Sequence, residues 1–380
     1  MQGALALQNL PRAFRLFQVH LNFHVSHGFH PLTIADVRRE TSEAISIRFA
    51  VPEEMREDFA FTSGQYLTLR TELDGREVRR SYSICSGMDE GELRVAIKQL
   101  DGGLFSCFAN ARLKPGDTID VMPPDGRFGL APDVAAERTY IGFAAGSGIT
   151  PIFSIIKSVL AREPRSHFVL FYGNKSSATI MFKDELDDLK DRFVERLSVH
   201  HILSREMQDV DVLHGRLTGD KVPALIRTAG GIAAVDEIFL CGPLPMLDEV
   251  SATLVFLGLP SARLHREIFT TETPPRPIKP APASNAREDV SLSIRIDGAL
   301  HKLAMRKDET VLEAAERHEL DLPYSCRGGM CCSCRAKLLE GAGAMDQNFS
   351  LEPWEEEAGF VLTCQFRPAT ETIALDYDAM

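Results

Sequence analysis

The nine residues Cys326 to Cys334 read CRGGMCCSC and hold four of the eight cysteines in a chain of 380 residues. Three fates compete for such a concentration of thiols: a disulfide knot, a zinc site or an iron-sulfur cluster. Cys326, Cys331 and Cys334 follow C-x4-C-x2-C, and Cys364, in VLTCQ, supplies a fourth sulfur downstream. That is the plant-type ferredoxin spacing for a 2Fe-2S cluster. Structural zinc sites usually pair C-x2-C units, whereas one such unit here is extended by a C-x4-C arm. Gly328 and Gly329 suit a loop that must adopt unusual backbone angles and turn N–H groups toward sulfur. Cys332 is left over and reads as a small side chain packed beside the cluster.

The rest of the chain has to be compatible with that loop. At 380 residues it is too long for one core, so two to three domains are expected. A hydrophobic fraction of 44% with 25% charged residues is that of a globular protein, and no run approaches the roughly 20 apolar residues of a membrane helix. With 42 basic against 54 acidic side chains the net charge is -12, which argues against nucleic acid and anionic membrane as partners. The N-terminus lacks the apolar core of a secretory signal, so a reducing cytoplasmic setting is expected, where structural disulfides are rare.

Composition divides the chain. Residues 1–30 form an N-terminal extension in which Phe17, Val19, Leu21, Phe23 and Val25 alternate with polar residues, the period of a strand. Its His20, His24, His27 and His30 lack a Cys or carboxylate companion and read as ordinary surface residues. Residues 31–135 carry short alternating segments (AISIRFAV, QYLTLRT, RRSYSIC, ELRVAIKQ, DTIDVMPP) broken by DG and PGD turns, the texture of an antiparallel β-barrel. From 136 to 270 apolar strands (TYIGFAA, HFVLFYG, LSVHHIL, EIFLCG) alternate with helix-length stretches, as in an α/β layer with a parallel sheet. Residues 271–286 contain five prolines between Pro274 and Pro282 and form an extended linker. Residues 287–380 read as a small mixed α+β domain around the cysteine loop.

Four further motifs carry chemistry. RRSYSI, residues 79–84, lies on a strand and offers Arg80 to phosphate, Tyr82 as an aromatic cover and Ser83 as a polar group at a redox edge. GGLFS, Gly102 to Ser106, allows close approach of a diphosphate to the start of a helix; the two together suggest a dinucleotide flavin. GSGITP, Gly146 to Pro151, follows a strand and opens a helix, the place for a nicotinamide dinucleotide diphosphate, although the third glycine of the Rossmann fingerprint is missing. CGP, Cys241 to Pro243, ends a later strand of the same sheet and brings a second loop to the same edge. After LSVHHIL, Ser204 and Arg205 offer a hydroxyl and a cation to a 2'-phosphate, with Lys175 in support. Glu206 weighs the other way, so NADPH is expected with NADH open.

In this order, RSYS, GGLFS, GSGITP, CGP and CRGGMCCSC...C resemble the ferredoxin-NADP reductase superfamily with a C-terminal plant-type ferredoxin domain, over about 345 of the 380 residues. Within it, DLPYSCRGGMCCSCRAKLLEG, AMDQNFSLEP and AGFVLTCQ are most similar to the reductase subunits of ring-1,2-phenylacetyl-CoA epoxidases. The resemblance implies a β-grasp fold for the last domain. It implies that Arg80, Tyr82, Ser83, Gly103 and Ser106 bind FAD, that Gly146, Ser147, Gly148, Thr150 and Pro151 bind NADPH, and that Cys241, followed by Gly242 and Pro243, flanks the nicotinamide. Glu267 and Phe269, in LHREIF, match the segment that closes the flavin site, making Ser83, Cys241 and Glu267 the expected catalytic residues. Ser63 in FTSGQY stands where relatives usually carry proline, a difference that touches the turn more than the chemistry.

Three functions follow as expectations. The first is the reductase of a phenylacetyl-CoA epoxidase, passing NADPH electrons to the oxygenase subunits of a multicomponent di-iron monooxygenase. The second is the reductase of another aromatic-ring or steroid hydroxylase. The third is a flavin and iron-sulfur redox sensor, against which the intact hydride site speaks. No pattern for an oxygen-activating metal site is present, so substrate oxidation belongs to another polypeptide.

Overall fold

The computed structural model describes residues 28–269 and 289–379. The alternating run over 17–25, the histidines before His30 and the linker at 271–286 lie outside the described residues.

The first sheet contains β1 (His30–Thr41), β2 (Ala44–Ala50), β3 (Tyr66–Leu73), β4 (Arg76–Ser83), β5 (Leu93–Lys98) and β6 (Thr118–Val121), antiparallel in the order β4-β3-β6-β1-β2-β5. Ile84, just beyond β4, bridges Val95 of β5 at the opposite edge, so the sheet curls back on itself as a barrel. The β3–β4 register is set by a two-residue turn, Asp74 and Gly75, both at positive φ (52° and 71°), which matches the twist of a tight hairpin. Alternating residues such as Leu32, Ile34, Ile45, Ile47, Leu67 and Leu69 fill the interior. Helix α1 (Leu104–Arg112) adds Phe105 and Ala109 to that core.

The second sheet is fully parallel: β7 (Thr139–Ala145), β8 (His167–Asn174), β9 (Leu197–Leu203), β10 (Glu237–Gly242) and β11 (Leu264–Ile268), in the order β11-β10-β7-β8-β9. Its helices are α2 (Ile149–Arg162), α3 (Lys183–Arg192), α4 (Val222–Thr228) and α5 (Leu244–Phe256). Strand order reverses at β7, which has β8 on one side and β10 on the other, so the carboxyl ends of β7 and β10 open a crevice between them. Every residue of α2 from Ile149 to Leu160 is buried. Burial on all sides follows from its position, wedged between sheet and barrel. Ser154 Oγ donates to the Ser86 carbonyl at 2.7 Å, and Lys157 Nζ meets Glu90 Oε2 at 3.0 Å. One apolar cluster runs through both domains, joining Cys85, Ala96, Phe128 and Leu130 to Tyr140, Phe153 and Phe239.

The last domain has β12 (Val290–Ile296), β13 (Ala299–Met305), β14 (Arg335–Glu340), β15 (Gly343–Met345), β16 (Phe360–Leu362), β17 (Phe366–Pro368) and β18 (Thr372–Asp376). Five of these form a mixed sheet in the order β13-β12-β18-β14-β16, with β12 and β18 parallel, and β15 pairs β17. Helix α6 (Val311–Arg317) starts on a capping box, Thr310 with Glu313, and buries Val311, Leu312, Ala314 and Ala315 against the sheet. A short helix α7 (Pro353–Glu357) follows. This is the β-grasp arrangement, and among the described residues its apolar core is built from its own side chains.

Candidate functional site

The expected catalytic residues come from three different elements and meet. Ser83 ends β4, Cys241 lies near the end of β10, and Glu267 sits opposite Cys241 in the β10–β11 ladder. Ser83 Oγ donates to Glu267 Oε2 at 3.2 Å, and Cys241 Sγ lies 3.9 Å from the same oxygen. Part of Glu267 stays accessible, yet its carboxyl end is enclosed. Burial pushes it up to about 8, against the hydrogen bonds from Ser83 and Cys241. A carboxyl that keeps its proton near neutrality, touching a hydroxyl and a thiol, can hold or pass a proton beside a redox centre. The Phe269 N–H donates to the Gly242 carbonyl at 2.9 Å, which ties the chain after β11 to the CGP loop.

The flavin motifs lie side by side. The rings of Tyr82 on β4 and Phe105 on α1 are 5.5 Å apart, which couples RSYS to GGLFS. Gly103 precedes α1 with no side-chain cap, leaving the first N–H groups of a nine-residue helix for an anion. A Cβ at Gly103 would collide with Ser106 Oγ, which accepts from the Leu100 N–H (3.1 Å) and donates to the Gly103 carbonyl (3.3 Å). Ser106 therefore shapes the loop through these bonds. Arg80 donates to the Arg79 carbonyl at 2.7 Å. This open helix start beside a paired aromatic fits a flavin dinucleotide.

At the nucleotide loop, Gly146 to Gly148 form a single turn of 3-10 helix before α2 begins at Ile149, again without a side-chain cap. Gly146 has φ +54°, and a Cβ on Gly148 would collide with the Cys241 carbonyl, so glycine is what lets the GSG and CGP loops touch. Thr150 and Pro151 are buried, and the Thr150 hydroxyl donates to the Ser147 carbonyl at 2.9 Å, bracing the turn. Beyond β9, Ser204 N and Arg205 N donate to Asn174 and Lys175 carbonyls, which brings the exposed Arg205 beside Lys175. Glu206 turns onto Ser177, accepting from its N–H at 2.9 Å and its hydroxyl at 3.0 Å. Sequence reasoning missed Lys98, the last residue of β5, whose Nζ lies 3.6 Å from the Cβ position of Gly146. Burial lowers its affinity for a proton, as does the nearby Lys175 charge, against Glu43. A cation at the end of a barrel strand was the available signal.

The cysteine loop fits a dinuclear cluster. The four thiols fall into two neighbouring pairs, Cys326 with Cys331 and Cys334 with Cys364, and would supply two ligands to each iron of a dinuclear cluster. Gly328 N and Met330 N both donate to Cys326 Sγ at 3.3 Å, and Cys326 N donates to Cys331 Sγ at 3.4 Å. Gln365 Nε2 lies 3.5 Å from Cys364 Sγ. N–H groups aimed at sulfur are what thiolate ligands require. Among the described residues no three Cys, His, Asp or Glu side chains converge on one point as a mononuclear zinc site would need. Cys332 points elsewhere, its Sγ donating to Ser350 Oγ at 3.0 Å.

The loop rests on the barrel. Tyr66, the residue paired with Ser83 across β3 and β4, is 5% exposed, and its hydroxyl lies 2.7 Å from the Cys331 carbonyl and 2.9 Å from Ser333 Oγ. Arg79 donates to Asp321 and to the Leu322 carbonyl, with its guanidinium 4.2 Å from the Tyr324 ring. Arg127 pairs with Glu355 and donates to Cys332 Sγ.

Three family models match in the same order: an oxidoreductase FAD-binding domain over residues 31–129, an oxidoreductase NAD-binding domain over 143–252, and a 2Fe-2S iron-sulfur cluster binding domain over 294–369. Over 353 residues the chain is 43% identical to one of the subunits of 1,2-phenylacetyl-CoA epoxidase from Escherichia coli (strain K12), covering 92% of this chain and 98% of that protein. The chain belongs to the flavin and iron-sulfur reductase components of multicomponent oxygenases. A second relative of this family, the ferredoxin reductase component of 3-ketosteroid-9-alpha-monooxygenase from Rhodococcus rhodochrous, is 34% identical, with 93% of this chain and 99% of that protein covered. In fold the chain is similar to phthalate dioxygenase reductase, with a TM-score of 0.56 at 24% identity over 92% of this chain and 98% of that one. As a member of this family it is an NAD(P)H-dependent oxidoreductase that uses FAD and a 2Fe-2S cluster and serves an oxygenase partner. No described helix is long and apolar enough to cross a membrane.

Proposed function

We propose that this protein takes hydride from NADPH and delivers single electrons to the di-iron oxygenase subunits of a phenylacetyl-CoA epoxidase, in the cytoplasm. One observation carries the electron route: the cysteine loop rests on the β3–β4 strand pair that also presents Ser83, through Tyr66. FAD, when bound, converts a two-electron hydride into single electrons, and the 2Fe-2S cluster carries them one at a time at a potential near -400 mV. The chain's own residues set up each stage. Arg80, Tyr82, Gly103 and Ser106 hold the flavin; Gly146, Ser147, Gly148, Thr150, Pro151, Gly242 and Pro243 shape the nucleotide crevice. Ser204, Arg205 and Lys175 meet the 2'-phosphate, a reading supported by the engagement of Glu206 with Ser177. Ser83, Cys241 and Glu267 line the hydride position, with the Glu267 proton held at its carboxyl near neutral pH. Phe269 closes the flavin site, and Cys326, Cys331, Cys334 and Cys364 ligate the irons.

The choice of epoxidase rests on the 43% relative; service to a steroid hydroxylase is the second reading, favoured by the 34% relative. The test mixes the purified chain with epoxidase oxygenase subunits and, separately, with a ketosteroid hydroxylase. NADPH-dependent oxygenation of phenylacetyl-CoA is expected with the intact chain. A chain cut near Pro280 should still reduce ferricyanide but support no oxygenation. Turnover with the steroid system alone would pass the function to the second reading.

A further inference from the structure

Arg127 lies outside every motif, in the PPDGRFGL segment after β6, yet it reaches the cysteine loop across 205 residues of sequence. Its guanidinium donates to Cys332 Sγ at 3.1 Å and lies 3.5 Å from the Ser350 carbonyl. It also pairs with Glu355, which is fully buried in α7 and shares the same oxygen, Oε1, with Arg335 Nε at 2.9 Å. Arg335 belongs to the cluster domain, so Glu355 is already neutralised within that domain. Arg127 is the additional charge that the barrel contributes. Cys332 is held at φ +55°, a left-handed angle unusual for a side chain of this kind, and it directly follows Cys331.

We propose that Arg127 of the flavin barrel is a positioning residue for the cluster: its charge, lodged against Cys332 only while the last domain rests on the barrel, favours the reduced cluster. The inference rests on the electron route given above. In the step concerned, one electron leaves reduced FAD and enters the oxidised cluster. No bond between chain and cluster breaks, and the cluster gains one negative charge without taking a proton. A cation beside an assembly that becomes more negative stabilises the product, and with the Arg127 side chain only 26% exposed that effect is partly sheltered from solvent screening. The barrel also brings Asp125, of opposite sign. Its carboxylate is exposed to solvent and accepts from the Gly126 N–H (2.7 Å), whereas Arg127 donates straight to sulfur.

The test is the cluster midpoint potential of the full-length, FAD-loaded protein, followed by EPR during a reductive titration, for Arg127→Gln and Arg127→Lys. Arg127→Gln is expected to lower the potential enough to move the flavin–cluster equilibrium about tenfold toward the flavin, about 59 mV for one electron. Arg127→Lys keeps the charge and is expected to keep most of the potential. An unchanged potential in Arg127→Gln overturns the proposal, as does an equal drop in both variants, which would make the effect one of packing. Glu355→Gln separates charge from mere loss of contact: it also weakens the pairing but removes a negative charge, so the potential should rise. A fall would overturn the proposal. Iron and sulfide analysis, with the oxygenase assay run separately, reports on the electron-route reading itself, so the two can fail independently.

Discussion

Removing a single oxygen, in Tyr66→Phe, tests whether the cluster loop rests on the barrel as described. One hydroxyl has one proton, so with the Cys331 carbonyl at 2.7 Å as acceptor the contact with Ser333 Oγ at 2.9 Å has Ser333 donating. Phenylalanine keeps the ring beneath Gly126 and the register with Ser83, but strands a carbonyl and the buried Ser333 hydroxyl. Such orphaned groups cost about 1–3 kcal/mol, roughly 5- to 150-fold in the equilibrium between docked and undocked arrangements. Stopped-flow single turnover separates the steps. Flavin reduction by NADPH should keep its rate, while the later flavin-to-cluster phase should slow. Because Arg79–Asp321 and Arg127–Glu355 span the same interface, added salt weakens docking as well. The variant should lose the second phase at lower salt than wild type. An unchanged second phase with an unchanged salt midpoint would refute the idea that Tyr66 bridges the two sites.

Three further outcomes are expected. Replacing Cys326, Cys331, Cys334 or Cys364 by Ser should abolish the EPR signal of the reduced cluster, whereas Cys332→Ser should retain it; equal loss at Cys332 would displace the ligand assignment. Arg205→Ala should raise KM for NADPH far more than for NADH, since a charge-assisted bond to the 2'-phosphate is lost, and steady-state kinetics with both cofactors reads the ratio. For Glu267 the folded carboxyl binds its proton more tightly than the unfolded one. Its stabilising contribution is therefore full below the unfolded value and is lost as pH rises toward about 8. Glu267→Gln does not titrate, so thermal unfolding from pH 4 to 9 should show wild type losing on the order of a few kcal/mol relative to the variant across that window.

What the sequence revealed depended on how local each feature was. The barrel strands were legible because a period of two survives along each of them, as in AISIRFAV against β2 at Ala44–Ala50. The 2Fe-2S domain was legible because three of the four cysteines proposed as its ligands fall within nine residues of one loop. Ser83 was offered by its own motif, but the roles of Cys241 and Glu267 came only through a resemblance; the hydrogen bond of Ser83 to Glu267 spans 184 residues, a separation no spacing rule encodes. Tyr66 and Arg127 were invisible for the same reason. Tyr66 reads as one more inward strand residue, and its partner Cys331 lies 265 positions away. Lys98 lies inside the strand segment ELRVAIKQ, 48 positions from Gly146, and only the fold brings the GSG turn against it.

The apolar cluster that runs from the barrel into the parallel sheet bears on how such proteins can be recombined. Phe128 and Leu130 belong to the barrel side of that cluster, and Tyr140 and Phe153 to the other. A junction cut between them would expose greasy surface on both pieces, so the two front modules are inherited or engineered as a pair. After Phe269 the situation changes. The last domain closes its own core, Glu355 carries its own counter-ion in Arg335, and the contacts to the barrel are hydrogen bonds, ion pairs and a guanidinium on a ring. Exchange of electron outlets among reductases, including grafts onto a foreign oxygenase, has its permissive seam there, and the few residues to carry across with the graft are those facing Tyr66, Arg79 and Arg127.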